Sequence, residues 1–183
     1  MATEQQRSSL QFVVKITKYC NLRCSYCYEY RELGNKTKMA LGDLAAFFRH
    51  VASYAAEHDL TNVDFLWHGG EPFLIPIEYY SQIKELQREA FGDLSDRVTN
   101  SAQTNLTILT DRHLAWLKEK RFIDSLGISF DVSGDQRVDT GGKVKTEVVL
   151  RNLQKLIDHE IVRRYCRAGP QHPACRPANL PLL

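Results

Sequence analysis

Between Gln11 and His159 the hydrophobic pattern alternates four times between a short β-rich run and a longer run with helical spacing. Gln11 to Thr17, Asn62 to Trp67, Arg97 to Leu106 and Asp124 to Asp131 read as strands. Met39 to Glu57, Glu78 to Phe91, Asp111 to Lys120 and Thr146 to His159 read as helices, with apolar residues recurring every three or four positions. Gly92 is placed to cap the second helix. Strands alternating with helices of this length imply a parallel sheet with right-handed crossovers and a ligand site at the carboxyl ends of the strands. A full barrel needs eight such units. The expected fold is therefore α/β: a partial (β/α) barrel of about four βα units, incomplete at its C-terminus.

Three stretches follow from this pattern: an N-terminal extension (1–10), the α/β core (11–160) and an irregular tail (161–183). The tail holds four arginines, no acid and four of the six prolines, where a fifth strand is expected after Leu156 and Ile157. It reads either as a disordered tail or as the product of a shifted reading frame or a truncated gene.

Apolar residues make up 43% of the 183 and charged residues 25%, which excludes a disordered chain, a collagen-like fibre and a disulfide-dense mini-protein. No apolar run reaches the length of a membrane span, and Met1 to Arg7 leads into no signal-peptide core. A cytoplasmic protein without membrane contact is expected. Residues 1–160 carry 20 basic and 22 acidic side chains, and no basic stripe points to nucleic acid.

The chemistry concentrates in Tyr19-Cys20-Asn21-Leu22-Arg23-Cys24-Ser25-Tyr26-Cys27, directly after the first strand. Three of the five cysteines fall within eight residues, with spacing Cys-x3-Cys-x2-Cys. Three thiolates this close repel one another, so a cation or cluster is expected to hold them. Zinc asks for a fourth ligand, which His50, His58 or His68 could supply. A four-iron cluster on three cysteines leaves one iron open to an outside molecule.

Cys20, Cys24 and Cys27, with aromatic Tyr26 before the last, resemble the signature of the radical S-adenosylmethionine (radical SAM) superfamily. The resemblance implies that the three thiolates ligate a [4Fe–4S] cluster and that S-adenosylmethionine chelates the fourth iron. Reductive cleavage would then give methionine and a 5′-deoxyadenosyl radical that abstracts hydrogen from the substrate. It implies that Tyr26 backs the adenine. His68-Gly69-Gly70-Glu71-Pro72, after the second strand, resembles the element that binds the methionyl amine. The glycines allow close backbone approach, Glu71 offers an acceptor, and Pro72 fixes the turn into the next helix.

Gln103-Thr104-Asn105 resembles a Thr-Asn element near the cofactor, which brings in Asn105. Gly127-Ile128-Ser129-Phe130-Asp131 resembles a segment whose serine, Ser129, contacts the ribose or carboxylate. Polar caps at strand ends are the plain alternative for both. Arg137 could pair with the cofactor carboxylate, although it stands closer to Ser129 than the usual arginine does. Trp67 and His68 read as packing or supporting residues.

The resemblance covers residues 11 to 160 and is nearest to maturases that modify peptides and proteins, including anaerobic sulfatase-maturing enzymes. It implies a peptide or protein substrate and a reductant such as flavodoxin or ferredoxin. Many such enzymes carry a C-terminal cysteine-rich SPASM domain, for which Cys166 and Cys175 are too few. Two other readings stand beside the enzyme: an inactive fragment that binds an iron–sulfur cluster or zinc only, and a zinc-binding interaction module.

Overall fold

A computed structural model describes residues 8–119, 122–130 and 136–161. The first residues 1–7, Asp131 and the tail 162–183 with Cys166 and Cys175 lie outside the described residues.

Four strands form one parallel sheet in the order β1 (Ser9–Thr17), β2 (Asn62–Gly69), β3 (Val98–Thr104), β4 (Ser125–Ile128). The intervening helices are α1 (Leu41–Glu57), α2 (Ile77–Phe91) and α3 (Asp111–Lys118), and α4 (Thr146–Asp158) follows β4. Neighbouring strands are consecutive in sequence, as in the winding of a barrel opened along one side. The α/β expectation is met. Three boundaries are corrected: β3 starts at Val98 because Arg97 closes a 3-10 turn (Gly92–Arg97), and it ends at Thr104 because Leu106 takes φ +55. Paired β4 spans only Ser125–Ile128.

Alternation along each strand sends one set of side chains under the helices. From β1 this set includes Val14 and Ile16, from β2 Phe65 and Trp67, all buried. They meet Phe48 of α1 and Tyr80 of α2 in edge-on ring contacts that make up much of the core. Trp67 is therefore a core residue, its Nε1 donating to Asn100 Oδ1 at 2.9 Å. Helix ends follow ordinary rules. Asp59 at φ +48 closes α1 while Leu60 N donates back to Ala55 O. Gly92 at φ +50 ends α2, and Thr110 caps α3 in a capping box with His113.

The opposite face of the sheet is polar. Asp64 accepts from Gln11 Nε2, Thr99 Oγ1 and Ser101 Oγ, and these line a groove of about 760 Å³ toward the amino ends of the strands. No helix among the described residues is long and apolar enough to cross a membrane.

Candidate active site

At the carboxyl end of the sheet, the loop after β1 carries Cys20 and Cys24, both buried, and Cys27, half-buried. The two buried thiols pack with Leu22 and Leu33 in a small apolar cluster apart from the main core. The loop is built by backbone contacts on three sides. Cys20 N donates to Leu33 O at 3.0 Å, closing the loop on itself. Gly70 N donates to Thr17 O at 2.8 Å and Glu71 N to Tyr19 O at 2.9 Å, fastening it to the end of β2. On the third side Leu22 bridges Asp139 in antiparallel fashion, and Arg23 N donates to Val138 O at 2.7 Å. That strap is itself a small hairpin, with Val138 opposite Val144 and the Asp139 carboxylate accepting from Gly141 N and Lys143 N.

The two glycines sit where the chains touch. A Cβ on Gly70 would lie 2.1 Å from Tyr19 O, and one on Gly69, at φ +123, 2.1 Å from Thr17 O. Neither space is open to a side chain.

Glu71 is 0% exposed, and its carboxylate is taken up by the protein. Oε1 accepts from Phe73 N at 2.9 Å and Thr104 Oγ1 at 2.7 Å, while Oε2 accepts from Asn105 N at 2.7 Å. Burial raises its pKa above the ordinary carboxylate value, against the pull of these donors. The side chain thus caps the 3-10 turn Pro72–Leu74 and ties the end of β2 to the end of β3. Pro72, also buried, opens that turn, and its carbonyl accepts from Tyr80 Oη.

Asn105 stands one residue beyond β3 and is equally engaged. Its Oδ1 accepts from Thr107 N and Thr107 Oγ1, and its Nδ2 donates to Asn21 Oδ1 at 3.1 Å and to Cys20 Sγ at 3.6 Å. Leu22 N is a second donor to the same sulfur, at 3.4 Å. Burial pushes the Cys20 thiol up to about 11, so a bound cation is what would favour its thiolate.

Ser129 Oγ accepts from Gln103 Nε2 at 2.9 Å, and Ser129 N donates to Thr104 O. Tyr26 is 54% exposed, with the Arg137 guanidinium 5.8 Å from its ring centre. His68 faces the polar side of the sheet, its Nδ1 accepting from Gly69 N, and burial lowers its pKa.

Cys20, Asn105 and Glu71 are therefore joined through direct contacts. Ser129 meets that network at one remove, through Thr104, and Tyr26 lies beside Arg137. Sequence reading missed the roles of Asn21 and the strap, and named Thr104 only within the Thr-Asn element; Val138-Asp139-Thr140-Gly141-Gly142 did carry a hairpin signal, apolar residues around an Asp/Gly turn.

Among the described residues no three His, Cys, Asp or Glu side chains close around one point as ligands of a single ion would. Cysteines of a four-iron cluster bind separate irons and stand further apart. With two N–H donors aimed at a buried sulfur, the donor set fits a cluster held by thiolates.

The chain belongs to the radical SAM superfamily, whose family model matches residues 14–167. Among curated proteins it is similar to the serine-type anaerobic sulfatase-maturating enzyme of Klebsiella pneumoniae, 30% identical over 145 residues, covering 78% of this chain and 36% of that protein. It is also similar to the cysteine-type anaerobic sulfatase-maturating enzyme of Clostridium novyi, 27% identical over 163 residues, with 84% and 42% covered. Among solved structures, native anSMEcpe with bound AdoMet and Cp18Cys peptide superposes with a TM-score of 0.69 at 25% identity, over 84% of this chain and 41% of that one. The chain spans well under half the length of these relatives.

Proposed function

We propose that this chain is the cofactor-binding part of a radical SAM maturase acting on a peptide or protein in the cytoplasm. The observation that carries the reading is the continuous contact from the thiol loop, through Asn105, to the carboxylate of the Gly-Gly-Glu-Pro turn. When bound, a [4Fe–4S] cluster and S-adenosylmethionine would supply a one-electron cleavage yielding the 5′-deoxyadenosyl radical for hydrogen abstraction.

The chain's own residues have separable tasks. Cys20, Cys24 and Cys27 hold the cluster. Gly69 and Gly70 bring backbone to the methionyl end, where carbonyls can accept from its ammonium. Glu71 and Pro72 act one step behind, holding that turn against β3, since the Glu71 carboxylate already has three donors. Asn105 steadies the Cys20 sulfur. Tyr26 offers an exposed ring for the adenine, and Ser129 a hydroxyl for the ribose or carboxylate. Arg137, beside Tyr26, supplies positive charge for a carboxylate. A low-potential reductant such as flavodoxin or ferredoxin delivers the electron.

The test is 5′-deoxyadenosine formation by the chain after anaerobic iron–sulfur reconstitution, with dithionite and S-adenosylmethionine. Product that disappears in Cys24→Ala is expected. An intact cluster spectrum without product would sink the reading for this chain.

A further inference from the structure

Three consecutive peptide N–H groups turn the chain at the end of β2, and each has an acceptor. Gly70 N donates to Thr17 O at 2.8 Å and Glu71 N to Tyr19 O at 2.9 Å, both backbone carbonyls at or just beyond the end of β1. The first of the three, Gly69 N, donates at 2.7 Å to Nδ1 of the His68 side chain. A carbonyl accepts at any pH. An imidazole nitrogen accepts only while it carries no proton. One of the three ties of the Gly-Gly turn is therefore titratable.

That bond fixes the ring as well as the backbone. With Nδ1 accepting, the neutral ring carries its proton on Nε2. The peptide so held leads into Gly69 at φ +123, a conformation that favours glycine, where a Cβ would lie 2.1 Å from Thr17 O. Regular pairing of β1 with β2 also breaks here, between Lys15 and Thr17.

The surroundings keep the ring neutral. Burial lowers the His68 pKa below its ordinary 6.5, and the Lys15 ammonium adds to the effect. Lys15 is the partner of His68 on β1, its ammonium paired with Glu29 at 2.5 Å and set against the Tyr28 ring. The pairing raises Lys15 and lowers Glu29, so neither changes charge near neutrality. On the β3 side stands Gln103, two positions beyond the Ser101–Leu66 pair, with no titratable proton. Among the described residues, His68 belongs to no group of His, Cys, Asp or Glu side chains that could hold an ion.

We infer that His68 is a positioning residue for the methionyl end of S-adenosylmethionine: its unprotonated Nδ1 holds the Gly69 peptide, and protonation of the ring lets that peptide go. The inference rests on the cofactor reading above and adds a pH-sensitive tie behind the glycines. On protonation, Nδ1–H faces the Gly69 N–H, donor against donor, and the turn keeps two of its three ties. The bond, and the affinity that depends on it, is present above 6.5 and is lost as pH falls through the lowered pKa.

The test uses the full chain and two variants. His68→Asn places an Oδ1 acceptor the same number of bonds from the backbone and does not titrate. His68→Phe keeps a ring without an acceptor. In NMR spectra taken from about pH 7.5 down to about 5.5, the Gly69 amide of wild type should shift together with the His68 ring. In His68→Asn it should stay put, and in His68→Phe it should exchange faster with solvent throughout. Equilibrium dialysis of S-adenosylmethionine against the reconstituted chain gives the second readout. Over the same range, wild-type affinity should fall about three- to tenfold further than that of His68→Asn, the worth of one hydrogen bond. His68→Phe should bind more weakly than wild type by a similar factor at the upper pH. A Gly69 amide that ignores the titration of the ring, or an equal fall in wild type and His68→Asn, would overturn the inference. Wild type that binds no S-adenosylmethionine at either pH would sink the cofactor reading instead. The amide titration then decides by itself whether the ring holds the turn.

Discussion

The Glu71 carboxylate accepts the backbone N–H of Asn105 at 2.7 Å, with no part of Glu71 open to solvent. That one bond couples the Gly-Gly-Glu-Pro turn to the residue whose amide reaches the Cys20 sulfur. Replacing Glu71 by alanine strands the N–H groups of Phe73 and Asn105 and the hydroxyl of Thr104, each costing about 1–3 kcal/mol when buried without a partner. Some of this is recovered by relieving a buried carboxylate. We expect a net loss of about 2–4 kcal/mol in urea unfolding of the metal-free chain. Glu71→Gln should lose less, because one oxygen remains as an acceptor. Wild-type stability in both variants would remove Glu71 from this positioning role.

Asn105→Ala deletes a donor to a ligand sulfur while leaving the three cysteines in place. Supporting residues of this kind typically cost 10–100-fold in metal affinity when mutated, and hydrogen bonds to cluster sulfurs help set the reduction potential. Iron retention against a chelator should fall by about tenfold. The midpoint in an EPR-monitored redox titration should become more negative. An unchanged midpoint would show that the Nδ2–Cys20 contact is incidental.

Gly70 and Gly127 offer a matched contrast. A Cβ at Gly70 meets the backbone carbonyl of Tyr19 at 2.1 Å, whereas one at Gly127 meets only the end of the Gln103 side chain, also at 2.1 Å. Backbone in a paired loop cannot step aside cheaply, while a side-chain amide can rotate away. Gly70→Ala should cost about 1–3 kcal/mol, the range of overpacked sites, and loosen the thiol loop. Gly127→Ala should cost less, about 0.5–1.5 kcal/mol for the Gln103–Ser129 hydrogen bond that the rotated amide gives up. Thermal unfolding of the pair decides it, and equal losses would refute the distinction.

Acid should release the strap. The Lys145 ammonium, with the N–H groups of Lys143 and Gly141, holds Asp139 down to about 2 from its ordinary 3.8. A lowered carboxyl pKa contributes stability above 3.8 that is lost as pH falls toward 2. Hydrogen-exchange protection of the Arg23 amide should therefore decline across that window. In Asp139→Ala it should be low and flat. Protection indifferent to both pH and mutation would separate the strap from Asp139.

Local pattern announced the sheet order because each strand and its following helix are consecutive and carry their own periodicity. The thiols were equally plain, since spacing is a local property. The task of Glu71 was not legible. As a sequence symbol it is a free carboxylate, and only packing against Thr104 and Asn105, more than thirty positions away, turns it into an inward-facing cap. Asn105 was found by resemblance to a cofactor element, yet its amide is spent on Asn21, Thr107 and Cys20. The strap was missed because an isolated antiparallel bridge has too little periodicity to stand out beside four βα units.

That strap also dates the site in the life of the chain. Ser25 and Gln136, in contact across it, are 111 positions apart, so the loop they close is among the costliest in entropy and can form only after all four strands exist. While the chain is emerging from the ribosome, its thiols would be flanked on two sides and open on the third. The strap follows β4 and precedes α4, so the third side closes as soon as those residues are made, before the last helix is wound.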